Sequence, residues 1–307
     1  MQRNVPDPAE TDTSFAELLA LERLEENLYR GSCHAGMPLR AFGGQVAAQS
    51  LIAAGSTLPV PNAPAASAPA PAPAAPVAPV PDLLVHSLHG YFIRAGRTDR
   101  PIVYEVDRTR DGRSFATRRV VAIQDGEAIF SLSASFHRPE DGDEHQADAP
   151  DAPGPEGLPE LWESGRRGRG VSVFEAVLES RCVGDPVKGL PGIGQGPRQQ
   201  LWVRTRAPLP GGPLLQACAL TYISDIRLLA TAGLPYADHP GERQAASLDH
   251  AVWFHRPFRA DEWLLFAMES PTYASSRGLA RGQFFTRDGR LVASVVQEGL
   301  YRRRPPR

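Results

Sequence analysis

Apolar residues along the chain recur at two different periods. Phe15, Leu18, Leu19, Leu21 and Leu24 follow helical spacing. Ser14 stands just before them with Glu17 three residues on, a capping-box signature for a helix over Phe15 to Leu24. N-L-Y-R-G-S then reads as a short strand. The Gly43 to Gly55 stretch, G-G-Q-V-A-A-Q-S-L-I-A-A-G, has two glutamines as its only strongly polar side chains. It predicts a deeply buried helix closed by Gly55. From Leu84 the period falls to two. Leu84 to Arg94, Pro101 to Arg110, Ser114 to Gln124 and Ala128 to Phe136 alternate as strands, with Asp111-Gly112 and Asp125-Gly126 as hairpin turns. The expected unit is an antiparallel meander beside one buried helix.

The second half repeats this order. Val171 to Cys182 and Gln199 to Arg206 read as strands, and Leu214 to Ala232 as an Ala/Leu-rich helix with a single acid, Asp225. Ser247 to Gln297 follows as several adjacent strands that turn at Asp288-Gly289. Asp125-Gly126 maps onto Asp288-Gly289 at an offset of 288 − 125 = 163. The same offset sets Arg118 on Arg281, Ser131 on Ser294 and Ala134 on Gln297. Aligning the helices on Gly44 and Leu220 sets Gln49 against Asp225, and Ser247 falls near His86 or Ser87. A long helix wrapped by an antiparallel sheet, present twice, is an α+β tandem hotdog. Its first unit spans 14–138, a connector 139–170, and its second unit 171–302. The Ala/Pro/Val run at 59–81 has no large side chain to bury and reads as an extended or disordered insertion.

The chain has 307 residues, 42% hydrophobic and 22% charged, with a net charge of −2, which gives no global field to attract nucleic acid or an anionic membrane. Cys33, Cys182 and Cys218 lack the spacing of a disulfide framework or a zinc site. With no leader-like apolar segment and no long apolar run, a cytoplasmic protein is expected.

Within the repeat, polar residues present in one half only are functional candidates, namely Asp225 and Gln297, and Ser247 joins them as a polar residue inside a strand-like run where an apolar one would be expected. A Ser247–Asp249–His250 triad is rejected, because neighbours in a strand point to opposite faces. His250 and His255 read as structural. The chain resembles the type II acyl-CoA thioesterases through A-F-G-G-Q-V-A-A-Q-S, H-S-L-H-G-Y-F-I-R-A-G, P-I-V-Y-E-V, R-D-G-R-S-F-A-T-R-R-V, Y-I-S-D, L-D-H-A-V-W-F-H-R-P-F and V-A-S-V-V-Q-E-G. The resemblance implies hydrolysis of acyl-CoA to a fatty acid and CoA without metal or cofactor. It puts the acid on Asp225, the amide on Gln297 and the hydroxyl on Ser247, where the family more often has Thr. It also implies a homo-oligomer.

The residues suit that chemistry. A thioester carbonyl is electrophilic, so an oriented water suffices. Asp225, on a helix lined with Leu, Ile and Ala, is the candidate base, with burial to raise its basicity. Ser247 and Gln297 would hold the water, and backbone N–H groups at a helix N-terminus would bind the oxyanion. Two alternatives compete. A hotdog hydratase or dehydratase needs a His base near the helix acid. A non-catalytic acyl-CoA-binding module has no need of Asp225.

Overall fold

A computed structural model describes residues 14–37, 40–59, 83–161, 173–184, 197–237 and 243–303. The first half runs α1 (Phe15–Leu19), β1 (Glu22–Glu25), β2 (Leu28–Gly31), β3 (Ala35–Met37), β4 (Arg40–Ala41), α2 (Gly43–Gly55), β5 (Leu84–Phe92), β6 (Ile102–Asp111), β7 (Phe115–Gln124) and β8 (Glu127–His137). The second half runs α3 (Val173–Val177), β9 (Leu178–Val183), β10 (Arg198–Thr205), α4 (Pro213–Ser224), α5 (Leu228–Gly233), β11 (Arg243–Ser247), β12 (Asp249–Phe254), β13 (Leu264–Ala274), β14 (Arg277–Thr286) and β15 (Leu291–Arg303).

One antiparallel sheet runs through both halves in the order β1-β2-β6-β7-β8-β5-β12-β15-β14-β13-β10-β9, and β11 pairs with β15. The halves meet where β5 pairs β12, with Leu88 opposite Val252 and Gly90 opposite His250. Helices α2 and α4 pack on each other inside the curved sheet. They bury almost every side chain because both are built of Ala, Leu and other small residues that admit close approach on all sides. The tandem hotdog reading is thereby realised as a two-layer domain with one shared core.

Several local readings change. The first helix stops at Leu19, where Ala20 turns extended, and Glu22–Glu25 forms an edge strand against β2. Leu24 is therefore 38% exposed rather than on a buried helix face. Ser14 and Glu17 do form the capping box. Of the stretch read as a strand from Val171 to Cys182, the described residues begin with helix α3 at Val173 and become a strand only at Leu178. The described part of the connector, 139–161, is anchored to the second half of the sheet: Trp202 Nε1 donates to Pro153 O at 2.7 Å, and Gln146 bonds Gly289 O and Leu291 N. Most of the Ala/Pro-rich insertion lies outside the described residues. Pro213–Tyr236 is long and apolar enough, by length and mean composition alone, to cross a membrane, although Gln216, Asp225 and Arg227 interrupt its apolar run. Its apolar window is 67% buried inside the protein, where a core helix belongs.

The repeat is real, but its register needs correction. Matching bulges follow Ala122 in β7 and Phe284 in β14, an offset of 284 − 122 = 162. Arg118 thus corresponds to Ala280, not to Arg281. Both are fully buried, whereas Arg281 is on the surface. Buried Arg118 bonds Thr57 just past the end of α2, two carbonyls of the β6–β7 hairpin, and Asp111. The helices align on Gln45 and Gln216, each of which donates to a carbonyl and accepts a backbone N–H in the same way. That offset, 216 − 45 = 171, sets Gln49 against Leu220 and Asp225 against Ala54. Ser247 pairs with Gly299 as Val85 pairs with Phe136, so its counterpart is Val85.

Candidate active site

The predicted single helix from Leu214 to Ala232 is broken at the acid. Helix α4 ends at Ser224, Asp225 is its C-cap, and Arg227 adopts φ 66° before α5 begins. A left-handed residue other than glycine costs on the order of 1 kcal/mol. Here it turns the chain so that Asp225 leaves the helix axis and meets the N-terminus of α2. Asp225 Oδ2 accepts the Gly44 N–H at 2.8 Å, and Oδ1 accepts from Gln297 Nε2 at 2.7 Å. The acid is therefore half-buried between the halves, not packed among the aliphatic side chains of its own helix.

The glycine pair that opens α2 makes this contact possible. A Cβ on Gly44 would lie 2.6 Å from Tyr222 O and 2.9 Å from Asp225 Cβ. One on Gly43 would lie 2.8 Å from the Phe92 ring and 3.0 Å from Asp225 Oδ2. Both residues are in the first turn, whose N–H groups have no carbonyl partner one turn back. The positive end of the helix dipole faces the carboxylate. Its counterpart in the other half cannot form, because the helix alignment puts Ala54, which has no carboxylate, at the equivalent position.

Gln297 comes from β15, where residues 293, 295, 297 and 299 all face inward. Its partner across the ladder is Ala280, which leaves room above it. The carboxylate can only accept, so the Gln297 amide must present its NH₂ to Asp225. The amide oxygen Oε1 is fully buried and has no hydrogen-bond partner. Ser247 lies on β11 opposite Gly299, diagonal to Gln297 across the strand pair. Diagonal side chains in such a pair are roughly 7 Å apart, enough for a water-sized molecule between them. Ser247 has no side-chain bond to either Asp225 or Gln297.

Asp225 and Ser247 open onto one pocket of about 440 Å³. Phe42, Phe92, Phe130 and Leu229 supply apolar wall, and Gly43 lies on the lining. Leu229 reaches this position because Gly299 has no side chain; a Cβ there would lie 1.9 Å from Leu229 Cδ1. The volume suits a small-molecule site. No His/Cys/Asp/Glu group suited to a metal occurs among the described residues.

The histidines divide as their strand positions require. His255 is exposed and bonds Ser294. His250 is fully buried, and its Nε2 lies 2.8 Å from Ser224 Oγ. Ser224 also donates to Thr221 O, so His250 carries its proton on Nε2 and donates to Ser224. Burial pushes the imidazole below its ordinary 6.5, while Asp225 and Asp249 pull it up. Asp249 is turned away from Ser247 and accepts the Glu298 N–H at 2.6 Å. Ser247, Asp249 and His250 therefore form no triad.

A half-buried carboxylate bracketed by a helix N-terminus and an amide thus stands at the wall of a pocket with apolar sides. An acyl-CoA thioesterase family model matches residues 185–300, and an acyl-CoA thioesterase N-terminal domain model matches 34–137. Acyl-coenzyme A thioesterase 8 of Rattus norvegicus is 38% identical, over 94% of this chain and 88% of its own. The chain belongs to the acyl-CoA thioesterase family. Acyl-CoA thioesterase 2 of Haemophilus influenzae is 34% identical, over 94% of this chain and 97% of its own. The crystal structure of the acyl-CoA thioesterase II TesB2 from Mycobacterium marinum superposes with a TM-score of 0.76 at 42% identity, covering 95% of this chain and 98% of the other. A hotdog-fold protein from Alicyclobacillus acidocaldarius, 18% identical with a TM-score of 0.70 and covering 95% and 98%, shares the fold.

The structure brings Asp225 and Gln297 into direct contact and sets Ser247 on the same pocket. Sequence reasoning missed the part played by the first half. Gly43 and Gly44 were read only as a helix start, although two glycines at a helix N-terminus are a recognisable signal for close approach of an anion.

Proposed function

We propose that this thioesterase hydrolyses acyl-CoA with a water deprotonated by Asp225. The observation that carries the reading is the pair of bonds fixing both Asp225 oxygens, to Gly44 N–H and Gln297 Nε2. Such a carboxylate keeps one orientation while its remaining lone pairs face the pocket. Gln297 Oε1, a buried acceptor without a partner, and the Ser247 hydroxyl supply an acceptor and a donor for the water. The water oxygen attacks the thioester carbon as its proton passes to Asp225. The carbonyl oxygen gains charge beside the N-terminus of α2, where Gly43 N–H is the available donor. The C–S bond then breaks, and CoA leaves as a thiolate that takes up the proton.

The hydratase and binding-module alternatives lose ground. Among the described residues the histidine beside the acid is His250, which spends its proton on Ser224, and a binding module has no use for an acid held at both oxygens. The buried thiols Cys33, Cys182 and Cys218, none of them in a disulfide, support a reducing compartment, the cytoplasm. Tyr91 at 66% exposure, with Ile93 and Phe115 also exposed, supports assembly into a homo-oligomer.

The test is direct. Purified protein with decanoyl-CoA and a thiol-reactive dye should release CoA thiol. Asp225→Asn should abolish most of that release. No thiol from the wild type, or full activity in the variant, would sink the reading.

A further inference from the structure

The pocket is cationic in an acidic chain. Its charged lining residues are Arg40, Arg94, Arg227 and the single acid Asp225, although the whole chain has a net charge of −2. Arg227 turns toward Gln199, whose Oε1 it approaches at 3.2 Å. Arg40 and Arg94 are exposed and sit at the mouth. Both belong to the first half, which lacks the acid, the hydroxyl and the amide.

Their convergence is built into the fold. Arg40 is on β4, and the adjacent Ala41 N–H donates to Gly96 O at 2.9 Å. That bond ties β4 to the segment following β5, which carries Arg94. The Arg94 N–H donates to Ile129 O at 3.1 Å. Its guanidinium is oriented by Nη1 donating to Ala128 O at 2.9 Å and by Nη2 lying 2.7 Å from Glu127. Gly96 keeps this junction tight, since a Cβ there would lie 3.0 Å from Ile129 and 3.1 Å from Ala41. Two arginines from separate segments are thus brought to one rim of a pocket that Asp225 also lines.

An acyl group has no use for two arginines. A thioester whose leaving group carries phosphates does, because guanidinium pairs with phosphate through parallel N–H donors. Building on the hydrolytic reading above, we infer that Arg40 and Arg94 recognise the phosphate groups of the CoA moiety. The labour is divided between the halves: the first holds the nucleotide end of the substrate and presents the helix N-terminus, and the second supplies acid, amide and hydroxyl. Glu127 competes with the substrate phosphate for Arg94.

The experiment compares decanoyl-CoA with decanoyl-pantetheine, which has the same thioester and no phosphate. In the Arg40→Ala/Arg94→Ala double variant, KM for decanoyl-CoA should rise roughly tenfold with kcat little changed, the loss of two solvent-screened contacts. Both constants for decanoyl-pantetheine should stay at wild-type values. Added salt should raise the wild-type KM for the CoA thioester only. Glu127→Ala, which frees Arg94, should lower that KM. A 3′-dephospho-CoA thioester locates the contact: a penalty that persists assigns it to the diphosphate, and one that vanishes to the 3′-phosphate. Equal losses on both thioesters, no loss on either, or a raised KM in Glu127→Ala would overturn the inference. A wild type inactive on both thioesters would instead refute hydrolysis. Calorimetric binding of CoA against pantetheine, in wild type and double variant, then decides the rim on its own.

Discussion

Asp225→Asn is the most informative single change, because the structure separates its effect on catalysis from its effect on folding. Asparagine has the shape of aspartate, so no contact is lost to volume. Its Oδ1 can still accept the Gly44 N–H, but its NH₂ then faces the NH₂ of Gln297. Left so, two donors would oppose each other at a buried site, a penalty of about 1–3 kcal/mol. Gln297 has a remedy. Rotating its amide by half a turn presents Oε1, which has no partner in the wild type, to the new NH₂. The expected stability change is therefore small, about 1 kcal/mol or less. Catalysis has no such remedy, since an amide cannot take the proton from water. A general base contributes on the order of 10²–10⁴-fold, equivalent to about 3–5 kcal/mol in the barrier. The assay is kcat/KM for decanoyl-CoA by thiol release, with a thermal or urea melt on the same preparation. The reasoning predicts at least a hundredfold loss of activity with a near-native melt. A variant within tenfold of wild type would show that Asp225 is not the base. A variant that unfolds would show that the carboxylate is chiefly a structural clasp between the halves.

Ser247→Ala should lower kcat about tenfold through loss of one water-orienting bond, and Ser247→Thr should match or exceed wild type by fixing the rotamer, both read from steady-state kinetics. Gly44→Ala should cost about 1–3 kcal/mol in a urea melt and lower kcat, because its Cβ must displace Tyr222 O or Asp225. Arg118→Ala should destabilise by about 3 kcal/mol without altering KM, since this fully buried side chain bonds Thr57 and Asp111 far from the acid. Folding holds the His250 pKa below 6.5. Below 6.5 the unfolded chain therefore binds the proton that the folded one resists, and stability falls as pH drops from there toward the folded pKa. His250→Asn should flatten that acid-side loss in melts between pH 7 and 5, less the share of His34, His86 and His255, which shift the same way.

The sequence by itself determined what depends on short-range periodicity. The alternation in β5 to β8 and β13 to β15, the Asp-Gly turns, and the existence of two Ala/Leu-rich helices, one over Gly43–Gly55 and one starting near Leu214, were legible because each follows from local side-chain pattern. The doubling was legible too, and with it the asymmetry that singled out Asp225 and Gln297, while Ser247 stood out by its strand context and the family resemblance. Tertiary structure decided the rest. The Leu- and Ala-rich run after Leu214 favours continued helix at every residue, and nothing local predicts a left-handed Arg227. The break arises because the end of α4 runs into the start of α2, a contact between residues 181 positions apart. The single-residue slip between Arg118 and Arg281 has a similar origin. Paired bulges and a longer hairpin at Asp288-Gly289 set the register, and only the assembled ladder shows them. The sequence could therefore name the acid, but its two bonds depend on a helix terminus and a strand brought to it by folding.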